Sequence, residues 1–222
     1  MVVLITGATG GLGTAVVQTF LQSGASAVFG AALSWQGEQI PEGRFHPIEA
    51  DLATSAGCAA VVERTGTVDA LIHCVGGFAG GQPVAETEDQ TWDLMMNLNL
   101  RAAFCMCRAV LPGMLKAGFG RIVAVGSRTG IEPAAGLSAY GVSKAGLVAL
   151  IRTIAVEVKG TGVTANVVMP SVIDTAANRA AMSKADSRKW VRPESIAGVL
   201  LWLASKDAAD VNGAVIPVYG NA

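Results

Sequence analysis

Short, largely apolar stretches alternate with longer segments of helical spacing along this chain. Residues 1–5 (Met-Val-Val-Leu-Ile) are apolar throughout, as a parallel strand covered on both faces should be. The segments 26–32, 45–48, 68–75, 122–125, 163–169 and 214–218 also read as strands and bring the predicted number to seven. Between them lie helical patterns. Val16, Val17, Phe20 and Leu21 share one face, and 54–64 and 145–158 read as helices. Pro193-Glu194 opens another. Thr87-x-x-Gln90 reads as a capping box before a long helix that runs to about residue 116. Only 33–43 breaks the alternation: it is short, polar and glycine-bearing, which predicts a crossover helix trimmed to a loop. Strands alternating with helices predict a doubly wound parallel sheet of about seven strands with helices on both faces, an α/β fold.

Composition narrows the function classes. A chain of 222 residues suits one domain spanning 1–222, and 51% hydrophobic residues against 15% charged ones imply a large interior. Net charge is −1 with no basic cluster, which argues against nucleic acid or anionic membrane as partners. No uncharged apolar run approaches the roughly 20 residues of a bilayer span. The start of the chain enters a strand pattern without the features of a signal peptide. Cys58, Cys74, Cys105 and Cys107 fit no zinc spacing, so no metal is expected. They read as buried free thiols in a reducing, cytoplasmic setting.

The chemistry concentrates in two stretches. The first strand ends in Thr6-Gly7-Ala8-Thr9-Gly10-Gly11-Leu12-Gly13 and a helical pattern follows. Strand, glycine turn and helix start make a pyrophosphate site, because glycines admit a close backbone and the helix N-terminus offers free N–H groups. A tight turn without ligand is the plainer alternative. The second stretch is Tyr140-Gly141-Val142-Ser143-Lys144. Four residues apart on a helix, Tyr140 and Lys144 share a face. A phenol titrates near 10, and a neighbouring ammonium favours its ionised form. Bringing it to ~7 takes about 4 kcal/mol of differential interaction. An ordinary exposed pair is the alternative. Ser127, just after an apolar run, is placed to hold a substrate oxygen beside the phenol, or is a turn residue.

Thr6-Gly7-x-x-x-Gly11-x-Gly13, then Ser127, then Tyr140-x-x-x-Lys144 resembles the short-chain dehydrogenase/reductase family over essentially the whole chain. The resemblance implies a Rossmann-type single domain, a nicotinamide cofactor and hydride transfer between it and a carbonyl or alcohol. It implies that Tyr140 is the general acid or base and that Lys144 lowers its pKa and binds the nicotinamide ribose. Ser127 positions the carbonyl. Asn99, ahead of a Leu100-x-x-x-Phe104 pattern, kinks its helix and holds a water linked to Lys144; Asn97 is the alternative by a slip of two. The resemblance places Gly7, Thr9, Gly10, Gly11, Leu12 and Gly13 on the pyrophosphate. It sets Asp51 and Leu52 against adenine, with a helix cap as the other reading of Asp51. Val75, Gly76, Pro170, Ile173 and Thr175 lie along the nicotinamide half. Ala31, Ala32, Leu33 and Ser34 stand where the family usually has an acid or an arginine, so NAD and NADP both remain open. Ser171 replaces the family's glycine after Pro170. His73, within 68–75, reads as structural, and Phe78 in a glycine-rich loop as a stacking surface or plug. Residues 174–191 suggest a mobile lid or an oligomer contact, and the apolar helices around Asn99 and Lys144 suggest a homodimer or homotetramer.

A narrower resemblance, to dihydropteridine reductase, rests on the trimmed crossover, Val68-Asp69-Ala70 leading into Gly76-Gly77-Phe78-Ala79-Gly80-Gly81, and Asp174-Thr175-x-x-Asn178-Arg179-x-x-Met182-x-x-Ala185-Asp186. It implies a quinonoid dihydropterin as a second substrate class. A nucleotide-binding regulator without catalysis is a third reading, which the complete tyrosine, lysine, serine and asparagine set opposes.

Overall fold

The computed structural model describes residues 1–221. Seven strands form one sheet: β1 (Val2–Thr6), β2 (Ala27–Ala32), β3 (Phe45–Glu49), β4 (Ala70–His73), β5 (Gly120–Val125), β6 (Val163–Pro170) and β7 (Val215–Val218). Their order is β3-β2-β1-β4-β5-β6-β7, and every pairing is parallel. The central strands are buried at nearly every position, as a sheet covered on both faces requires, and in β6 this includes the polar Thr164 and Asn166.

Helices cover both faces. On one, α1 (Gly13–Gln22) packs beside α7 (Pro193–Ala204), contributing Val16, Val17, Phe20, Ile196 and Leu200 to a common core. On the other lie α2 (Ser55–Thr65), α4 (Ala102–Ala117) and α5 (Ser138–Glu157). The buried stripe of α5 carries Leu147, Ile151 and Ile154, but also Ser143 and Lys144. The chain reverses direction between β1 and β4, so a crevice opens at the carboxyl ends of these neighbours, where sheets of this kind bind ligands.

No helix joins β2 to β3, as the polar 33–43 stretch predicts. Trp35 substitutes for it. Its indole meets Phe45 edge-on at 5.3 Å and donates to the Ile48 carbonyl at 3.1 Å. Gly30 leaves the room that the Phe45 ring fills.

The capping box at Thr87 does not form. The Thr87 hydroxyl donates back to the Pro83 carbonyl at 3.0 Å, closing a short 3₁₀ turn (Val84–Glu86), and α3 (Asp89–Met95) starts after Glu88 without a side-chain cap. From Met96 to Arg101 the helix is π-wound before α4 continues, so the predicted local distortion falls at Asn99. Two helical stretches, Asp89–Ala117 and Ser138–Glu157, are long and apolar enough to cross a bilayer by length and composition. Charged residues interrupt both, which is why no uncharged run announced them, and 44% of the most apolar 18 residues of each is buried within the protein. The four thiols are unpaired, and burial pushes Cys58, Cys74 and Cys107 up to about 12.

Candidate active site

The glycine turn is built for close approach. Gly7 has φ +69°, and a Cβ there would lie 2.9 Å from the Cys74 carbonyl carbon and the Val75 nitrogen. A Cβ on Gly13 would overlap the Gly7 carbonyl. The turn folds on itself through Gly10 N–H donating to the Gly7 carbonyl at 3.0 Å, with Thr9 half-buried between them. Leu12, buried, precedes α1, and no side chain caps that helix. An uncapped ten-residue helix behind a glycine turn is a receptive anion site, so the cradle fits a dinucleotide pyrophosphate.

Across the crevice, Thr175 lies over Gly11, where a Cβ would meet its methyl carbon at 2.8 Å. The Thr175 hydroxyl accepts the Asn178 N–H at 3.2 Å and so caps α6 (Ala176–Ala181). Ile173 pairs with Val191, and Asn178 donates to the Ile173 carbonyl at 2.8 Å. The predicted lid is therefore partly ordered, with Asp174 paired to Arg179 and Asp186 to Arg188. The departure at Ser171, next to Pro170, is explained too: its hydroxyl donates to the Tyr219 carbonyl at 2.7 Å and ties down the end of the chain. Asp51 accepts the Ala53 N–H, while Thr54 is the cap of α2, so the cap reading of Asp51 is replaced by a turn. Leu52 is buried beside it.

The tyrosine, lysine, serine and asparagine converge, each from a different element except for the pair on α5. Tyr140 meets Phe78 edge-on with ring centroids 5.1 Å apart. Ser127 lies two residues past the end of β5, caps the short 3₁₀ turn Arg128–Gly130 by accepting the Thr129 N–H, and keeps its hydroxyl proton for the Tyr140 oxygen. Burial raises the phenol above its ordinary value, and the Ser127 hydrogen bond works against that rise. Lys144 lies on the same helix, one turn beyond Tyr140. It is 5% exposed and donates to the Val125 carbonyl at 3.1 Å, on the sheet side of its helix. Burial pushes it down to about 8.

Asn99 is fully buried and works with its amide. It accepts the Gly77 N–H at 3.0 Å and donates to the Gly77 carbonyl at 3.1 Å, clamping the loop after β4. It also donates to Ser143 at 3.0 Å, whose hydroxyl donates to the Tyr140 carbonyl at 2.7 Å. Ser143 thus links the asparagine to the helix of the tyrosine, a role the sequence analysis missed although the residue stands inside the quoted motif. Gly76 completes the junction: a Cβ there would lie 2.9 Å from Asn99 Oδ1 and 3.0 Å from Lys144 Nζ. Asn97, by contrast, is exposed. His73 is buried, bonded through Nδ1 to Thr6 at 2.9 Å, and held down to about 3 by burial and by the Lys144 charge. Val75 packs into the core beside it.

The family profile of short chain dehydrogenases matches residues 1–186. The chain is 34% identical over 230 residues to the 3-oxoacyl-acyl-carrier-protein reductase MabA of Mycobacterium tuberculosis, covering 98% of this chain and 91% of that one. It is 31% identical over 238 residues to the 3-oxoacyl-acyl-carrier-protein reductase FabG of Thermotoga maritima, covering 99% and 96%. A crystal structure of a short-chain dehydrogenase/reductase family oxidoreductase from Burkholderia thailandensis superimposes with TM-score 0.87 at 31% identity, covering 99% of this chain and 91% of that one. The narrower likeness to dihydropteridine reductase finds no support in these relatives.

Proposed function

The chain belongs to the short-chain dehydrogenase family and is an NAD(P)-dependent oxidoreductase; from that premise we propose that it interconverts a carbonyl and an alcohol on a small molecule, with Tyr140 as the proton donor in reduction. The convergence of Ser127, Tyr140, Ser143, Lys144 and Asn99 at the carboxyl ends of β4 and β5 carries this reading.

Gly7, Thr9, Gly10, Gly11, Leu12 and Gly13 hold the pyrophosphate in this reading, with Asp51 and Leu52 at the adenine. Val75, Gly76, Pro170, Ile173 and Thr175 border the nicotinamide half. When bound, the cofactor supplies the hydride. Tyr140 gives its phenolic proton to the substrate oxygen, and in oxidation takes it back. Ser127 donates to the same oxygen and polarises the carbonyl. Lys144 supplies positive charge to the crevice. Its depressed pKa keeps a neutral form within reach of neutrality, so it is suited to passing on a proton. Asn99 and Ser143 hold the backbone on both sides of Lys144. Phe78 shields the phenol from water.

Two 3-oxoacyl thioester reductases among the relatives favour a 3-oxoacyl compound as substrate class. No observation favours a dihydropterin or a purely regulatory role. The charge of −1 speaks against nucleic acid or membrane partners, and a cytoplasmic homodimer or homotetramer is part of the proposal. Its motive is the apolar exposure of Trp92, Leu94, Phe104 and Val142 along α3, α4 and α5. The test is turnover: purified protein with reduced cofactor should convert a 3-oxoacyl thioester or a simple ketone to the alcohol, one cofactor oxidised per product. Tight cofactor binding with no turnover on any carbonyl of a broad panel would leave only a binding protein.

A further inference from the structure

The turn after β2 has neither the carboxylate nor the arginine that sorts the two nicotinamide dinucleotides, since Ala31, Ala32, Leu33 and Ser34 stand there. The neighbouring strand brings an acid to the same place. Ala32 of β2 is in register with Glu49 of β3, and residues paired across parallel strands project from one face. The Glu49 carboxylate accepts the Trp35 N–H at 2.8 Å, so it sits over the turn. The Gln36 N–H is taken by the Ser34 hydroxyl at 3.1 Å. The glycine cradle begins directly alongside, because Gly7 and Ala8 N–H both donate to the Ala31 carbonyl, at 2.8 and 3.2 Å.

Charge in this corner is one-sided. Residues 1–43 contain no lysine or arginine. Arg44 lies at the other end of β3, where it donates to the Leu21 carbonyl at 3.3 Å. Arg101, in the helical layer of the opposite face, donates to the Ala53 carbonyl at 3.0 Å. Glu38 follows in the same turn, bonded back to the Trp35 carbonyl.

We propose that Glu49, reaching across from β3, selects the dinucleotide with a free adenosine-ribose 2′-hydroxyl and excludes the one with a 2′-phosphate, making the protein NAD(H)-specific. A carboxylate whose one oxygen holds the Trp35 N–H keeps lone pairs to accept from a ribose hydroxyl. A 2′-phosphate would instead meet that negative charge and two N–H groups already engaged, with no lysine or arginine in residues 1–43 to neutralise it. This selection rests on the reading of the glycine turn as a dinucleotide cradle.

Calorimetric titration of the full chain with NADH and with NADPH tests it. NADH should bind at least ~30-fold tighter, as expected when like charges are juxtaposed at a binding site. Glu49→Gln keeps an acceptor for Trp35 and removes the charge; it should tighten NADPH by about 5–10-fold and change NADH by less than about 3-fold. Glu49→Lys should narrow the ratio further or invert it. Equal wild-type affinities, or a ratio unmoved in Glu49→Gln, overturn the selection while leaving the cradle intact. Binding of neither dinucleotide overturns the cradle itself. Should neither variant fold, the wild-type ratio decides alone.

Discussion

Replacing Asn99 by alanine should destabilise this protein by about 2–4 kcal/mol, and the figure follows from what its amide holds. Three partners lose their bond: the Gly77 N–H, the Gly77 carbonyl and the Ser143 hydroxyl, all at 3.0–3.1 Å. A buried polar group left unpaired costs about 1–3 kcal/mol. Gly77 is half-buried, so water recovers part of its loss and each of its groups counts near ~1 kcal/mol. Ser143 is fully buried but keeps its bond to the Tyr140 carbonyl, so it adds no more than ~1–2 kcal/mol. In a chain of this size each kcal/mol moves the midpoint by about 2–4 °C, so the melting temperature should fall by roughly 5–15 °C. Circular dichroism melts and urea titrations at unchanged slope measure it. Asn97→Ala is the control: exposed, it should stay within about 0.5 kcal/mol of wild type. A drop below 2 °C for Asn99→Ala, or equal drops for both, would refute the clamp.

Lys144→Met should alter the pH dependence of stability in a definite direction. Lys144 titrates near 8 when folded against 10.5 ordinarily, so between those values the unfolded chain binds more protons and wild type gains stability as pH rises. The gain reaches at most about 3 kcal/mol and is read from the difference between wild-type and variant urea curves, because Cys58, Cys74, Cys107 and Tyr140 lose stability in the alkaline range in both. A flat difference between pH 7 and 10 would show that Lys144 is well solvated. Gly13→Ala should abolish cofactor binding or folding, although alanine ordinarily improves a helix by about 1 kcal/mol, because its Cβ would overlap the Gly7 carbonyl. A stable Gly13→Ala protein that binds a nicotinamide dinucleotide at wild-type affinity would contradict the cradle geometry.

Much of this was legible in the chain. The strand pattern survives because a doubly covered parallel sheet favours apolar residues on both faces; β1 obeys this at nearly every position, and β6 does apart from Thr164 and Asn166, which are buried all the same. The trimmed crossover was visible as polar residues between 33 and 43, but not Trp35, since one aromatic folding back onto Phe45 leaves no periodic signal. Thr87 failed as a cap because its hydroxyl found a closer partner in the Pro83 carbonyl, a competition that spacing alone does not reveal. At the site, Tyr140 and Lys144 were legible by spacing, but the Val125 contact of the ammonium was not. A shared helix face sets proximity, whereas the direction of Nζ is set by the Val125 carbonyl on a strand distant in sequence. Ser143 and Glu49 escaped notice for the same reason: each acquires its role from a partner on another element.

The account stands on Tyr140 as the proton donor, and Tyr140→Phe tests that most directly. Phenylalanine keeps the ring against Phe78 and removes only the hydroxyl. The account predicts that kcat falls by about 10²–10⁴-fold while the dissociation constant for the nicotinamide cofactor, measured by titration, stays within a few fold. Turnover within tenfold of wild type at unchanged cofactor affinity would contradict it.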